Sequence, residues 1–150
     1  MKSLFDPATA QGVKERIAGL GPDTSPLWGR MSAAQVLAHC SAALHMATGD
    51  IRPPRKLVGR LLGWNMKSKE LGADTPMRPN SQTVKELVID EECDVETEQT
   101  WLVGLINRFV SSGPRGCTSH PHPFFGRMTP QEWSVYMYKH LDHHLRQLGV

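Results

Sequence analysis

The chain has 150 residues, enough for one hydrophobic core and too few to expect two, so residues 1–150 are read as a single domain. Its 17 Lys and Arg against 15 Asp and Glu leave a formal charge of +2, with no basic block or aromatic-interleaved stripe, which argues against a nucleic-acid partner. The start, Met1 to Pro7, lacks the apolar core of a signal peptide, and no apolar run approaches the roughly 20 residues of a membrane span, so a cytoplasmic protein with no membrane partner is expected.

In chain order, the first helix is announced by Asp6-Pro7, an aspartate N-cap before a proline at the first helical position, and should reach about Leu20. The second opens at Ser32-Ala-Ala-Gln35, a capping box in which serine and glutamine satisfy each other's orphan amides, and runs to Gly49. A long stretch from 50 to 93, rich in proline and charge, follows. It is too long for a hairpin connection and fits a crossover between parallel neighbouring helices. Within it Leu57, Val58, Leu61 and Leu62 suggest a short amphipathic helix, and Val84 to Ile89 a short element of either type.

A third long helix begins near Asp94 and carries Trp101, Leu102, Leu105, Ile106, Phe109 and Val110 on a helical period before Gly113-Pro114 stops it. The fourth opens at Thr129-Pro-Gln-Glu132, capping box and N1 proline together, and continues to about Leu148. The three cysteines, Cys40, Cys93 and Cys117, form no Cys-x-x-Cys and are read as reduced structural thiols.

The chemistry of the chain lies in its histidines. At about 100° per residue, Trp133, Met137, Leu141, Leu145 and Leu148 form the buried stripe of the last helix. His144 falls inside that stripe and His140 at its edge, while His143 lies among polar neighbours and Lys139, Asp142 and Arg146 take the solvent face. Two inward imidazoles four residues apart can chelate a divalent cation, and a third protein ligand with an open position would make a catalytic-type site. His39, His45, His120 and His122 are the candidates; His39 lies beside the apolar stripe of the second helix, whereas His45 faces water. On spacing alone, a satisfied core-edge histidine remains the commoner outcome for His39. Cys40, about 100° further round, is expected in the helix interface and not as a ligand.

The segment Trp28 to His39, followed by His140-x-x-His143-His144-x-x-Gln147, resembles the DinB-like superfamily of metal-dependent four-helix-bundle proteins. More narrowly, His122-Pro-Phe-Phe-Gly126, Trp133 and the run Lys139 to Gln147 resemble a bacterial branch catalogued as a domain of unknown function. The resemblance implies an all-α, up-down-down-up bundle with a long crossover after its second helix. It also implies one divalent ion on His39, His140 and His144. His143, Gln147 and His122 are candidates for the second shell or the pocket, with polar surface the commoner outcome for His143 and loop packing for His122. Zinc or nickel is the expected metal.

The implied activity is that of a metal-dependent enzyme activating a low-molecular-weight thiol or water for transfer, isomerisation or hydrolysis of a small-molecule substrate. Two other classes stand beside it: a non-catalytic metal-binding or stress-related interaction module with a structural site, and a metal-free small-molecule-binding bundle. A homodimer is an expectation from the frequency of paired bundles, without an identified face.

Overall fold

The structure is a computed structural model that describes residues 1–72 and 75–150. Five α-helices carry it, and among the described residues there is no strand, only an isolated antiparallel bridge between His122 and Gly126.

The four helices that the sequence marks with a start signal each form where that signal stands. Helix α1 (Pro7–Ala18) begins as the Asp6 carboxylate accepts the Thr9 amide at 2.8 Å, and α2 (Ala33–Thr48) begins at a complete Ser32–Gln35 capping box. It ends at Gly49 in the left-handed region (φ 84°), where a Cβ would also meet the Thr118 hydroxyl. Helix α4 (Val95–Ser112) is capped by Asp94, and α5 (Pro130–Gln147) by the Thr129–Glu132 box.

The stretch between α2 and α4 holds more helix than its sequence suggests. Helix α3 (Leu57–Leu71) is a full 15 residues, followed by a single 3-10 turn at Lys85–Leu87. No side chain caps α3, and Gly59 and Gly63 interrupt its interior, both of which lower local helix preference. Tertiary contact compensates: a Cβ at Gly59 would lie 2.5 Å from the Pro123 carbonyl oxygen, and one at Gly63 2.5 Å from that of Phe124. Only glycine lets α3 lie this close to the 123–124 backbone.

Helices α1 and α2 each pack against both α4 and α5, and α3 lies on α5. Their shared core is built on Trp133, Phe109, Ile17, Leu44, Ile106 and Leu141, all almost wholly buried. The α5 stripe from Trp133 to Leu148 is buried as its periodicity requires.

Two side-chain expectations are corrected. Lys139 and Asp142 do not face solvent. Lys139 is buried with its ammonium on the Glu70 carbonyl and 3.4 Å from the Glu70 carboxylate, because α3 covers this flank of α5. Asp142 is held at 2.7 Å by Arg16 of α1, and only Arg146 of the three is exposed. Trp101, placed on the apolar period of α4, is 58 % exposed at the edge of that stripe and lies against the His45 ring.

Candidate metal centre

Helix α2 presents His39 at mid-length and α5 presents His140 and His144 one turn apart; all three are buried. Each offers a ring nitrogen, and these three atoms lie within 4.8 Å of one another. His39 Nε2 stands 3.2 Å from His140 Nε2, and the three ring centroids are 4.7 to 5.0 Å apart. The structure thus brings together the three histidines that helical spacing and the family resemblance single out.

Hydrogen bonds outside the cluster set the tautomers. His39 Nδ1 is 2.7 Å from the Leu87 carbonyl oxygen, which can only accept, so Nδ1 carries the proton and Nε2 presents a lone pair. Gln147 Nε2 donates to the Trp28 carbonyl at 2.8 Å, which orients the amide. Its Oε1 therefore accepts from His144 Nδ1 at 2.7 Å, and His144 Nε2 is likewise unprotonated. His140 Nδ1 is buried and has no hydrogen-bond partner among the described residues.

Burial holds all three imidazoles neutral. It lowers His39 below the ordinary histidine value, brings His144 down to about 3, and acts together with the neighbouring His144 and His39 to take His140 well below it. With His39 Nε2 a lone pair, the 3.2 Å bond makes His140 Nε2 its donor, and a divalent transition cation can take the place of that one proton, so these neutral, buried imidazoles fit a metal. The ring N–H bonds to Leu87 and Gln147 are the outer-shell partners such ligands usually have.

The remaining singled-out residues fall around this cluster. His143 is half-buried, hydrogen-bonded to the Met77 backbone and packed between the rings of Trp28 and His144, so it belongs to a cavity wall and not to open surface. Gln147 serves His144. His122 is buried outside the metal-capable group, its Nδ1 accepting the Phe124 and Phe125 amides at 3.2 Å each and its ring stacked on Phe125. His45 pairs with Asp50 at 2.9 Å, and His120 lies 3.1 Å from the Pro53 carbonyl oxygen; both are away from the cluster. Cys40 is buried, its thiol pushed up by desolvation, and is no member of the group.

A cavity of about 1020 Å³ opens over the cluster, with Trp28, Met77 and His143 in its wall and the exposed Arg30 and Arg78 at its edge. A second, of about 390 Å³, lies beside His140 and is lined by Met46, Met66, Met77, Phe124, Phe125 and Tyr136. Residues 77–78 and 81–83 border both. Sequence reading gave no role to Leu87, Trp28, Met77 or Tyr136. Leu87 and Trp28 act through backbone carbonyls, which side-chain identity does not report. Tyr136 precedes His140 by four positions and was discoverable as its helix-face neighbour.

A family model described as "Protein of unknown function (DUF1569)" matches residues 9–149. No curated protein and no solved structure matches the chain.

Proposed function

We propose that this chain, which belongs to the DUF1569 family of unknown function, is a metal-dependent enzyme whose ion is held by His39, His140 and His144. On this reading α1, α2, α4 and α5 are the four helices of a DinB-like, up-down-down-up bundle. The observation that carries the proposal is the pair of fixed tautomers: Leu87 and Gln147 aim two unprotonated Nε2 atoms at the same point as His140, beneath a large cavity.

A divalent cation bound there would supply Lewis acidity, lowering the pKa of a thiol or water that shares its coordination sphere. The protein's own part is to hold three imidazoles neutral and orient two of them from behind, with no fourth His, Cys, Asp or Glu among the described residues joining the group on the cavity side. Three donors with an open side favour catalysis over a structural staple, which would close its coordination. Exposed Arg30 and Arg78 suit a substrate or thiol with anionic character. Thiol transfer or thiol-dependent isomerisation is the leading reaction class, hydrolysis the next, with zinc or nickel as the ion.

The test is elemental analysis of untagged protein purified without chelator. Wild type should carry about one equivalent of a transition metal and His143→Ala should keep it, whereas His39→Ala, His140→Ala and His144→Ala should lose it with helicity intact. Loading with cobalt then separates the reaction classes. A low-molecular-weight thiol such as 2-mercaptoethanol should bring in a near-ultraviolet thiolate-to-metal band, and no spectral change would leave water as the activated group. No metal in any sample, even after zinc or nickel is added, overturns the proposal.

A further inference from the structure

Helix α3 is docked with the opposite polarity to the other helices. It turns Gly59 and Gly63 toward the protein and sets its large apolar side chains in solvent: Leu57 is 72 % exposed, Leu61 75 % and Trp64 78 %, with Leu62 and Val58 also exposed beside them. Leu57, Leu61 and Trp64 follow one another at the four-then-three spacing of a single helix face. A contiguous exposed stripe of this kind marks an interaction surface.

Its border is cationic. Between 52 and 71 the sequence has six Lys and Arg and a single carboxylate, Glu70, which is turned inward onto Lys139. Arg60 and Lys69 are exposed on α3 itself and Arg52 in the segment that leads into it, and Arg127, also exposed, joins α3 through its carbonyl, which accepts from Lys67. Two copies meeting through this face would bring like charges together, whereas a negatively charged surface complements both the rim and the stripe.

We infer that α3 is a docking surface for an anionic lipid bilayer: it lies in the interface with Leu57, Leu61 and Trp64 in the acyl boundary and Arg52, Arg60 and Lys69 among the headgroups. This is surface association and not spanning; no helix among the described residues is long and apolar enough to cross a membrane. The helix reaches the bilayer already folded. Besides its glycine contacts, the Lys56 amide donates to the Pro123 carbonyl at 3.0 Å and Lys67 pairs with Glu132 at 2.8 Å, so binding carries no helix-ordering cost. The inference stands apart from the metal centre.

The experiment is co-sedimentation of the full chain with vesicles of mixed phosphatidylglycerol and phosphatidylcholine, beside pure phosphatidylcholine, at low and high salt. Wild type should bind the anionic vesicles, bind phosphatidylcholine much less, and weaken as salt rises. Leu61→Glu, at an exposed position that leaves the fold intact by circular dichroism, should lower binding about tenfold or more. Binding should shift tryptophan emission to the blue in wild type, and Trp64→Phe should bind while losing most of that shift. Equal sedimentation of wild type and Leu61→Glu, or none of either, overturns the inference. So does a dimer by sedimentation equilibrium that Leu61→Glu dissociates while vesicles stay unbound, which would assign the face to a second copy.

Discussion

Gln147 ties His144 to the loop before α2, accepting from the imidazole and donating to the Trp28 carbonyl. Gly29 makes the approach feasible: it sits at φ 85°, and a Cβ there would come within 2.6 Å of Gln147 Nε2. Gln147→Ala should therefore lower metal affinity by about 10- to 100-fold without unfolding α5, measured by competition with a chromogenic chelator. His122 lends itself to a different measurement. Burial brings its pKa down to about 3, so it stays neutral in the folded protein while the unfolded chain protonates near 6.5. Between about 6.5 and 3 the unfolded state binds the extra proton, and stability falls as pH falls, by up to about 1.4 kcal/mol per pH unit for this group. Urea midpoints of chelator-treated protein should be lower at pH 5 than at pH 7. His122→Asn, which keeps an acceptor for the two loop amides and cannot titrate, should reduce that difference.

At the scale of elements, Gly63 is the sharpest test of how α3 is held. Gly63→Ala puts a methyl against a backbone carbonyl that cannot rotate away, so we expect about 1–3 kcal/mol of destabilisation. Hydrogen exchange should speed up along Leu57–Leu71 and stay slow in the centre of α2. Helices α1, α2, α4 and α5 were legible because their boundaries are written locally, as Asp6, Ser32–Gln35, Asp94 and Thr129–Glu132 at the starts and as Gly49 and Gly113 at two of the ends. Helix α3 has no such signals, and its glycines read as breaks until the 123–124 backbone is placed against them. For the same reason Lys139 was misplaced: the wheel of α5 is correct, but it cannot show that another helix covers its polar flank. The inward placement of His140 and His144 was legible because side chains on helices inherit the helical period, and His39 joined them through the family resemblance, whereas the carbonyls of Leu87 and Trp28 that orient two of the rings depend on tertiary structure alone.

For the whole molecule, the two helices that carry the histidines do not adjoin in sequence. Helix α2 meets α5 directly and again by way of α4 and α1, which pack on each other with α4 on α2 and α1 on α5, while α3 lies on α5. His39 and His140 stand 101 positions apart. In polymer terms an ion joining them is a removable cross-link that ties off a loop of about two-thirds of the chain. A closure of about 100 residues removes roughly 4–5 kcal/mol of denatured-state entropy in the chain-entropy account of permanent links. Of these three histidines only His140 and His144, four residues apart, remain near each other in a disordered chain. On the proposed metal-binding reading, tight capture is reserved for chains in which α2 and α5 have already met, and a metal-loaded state would be a chemical record that this long-range contact has formed.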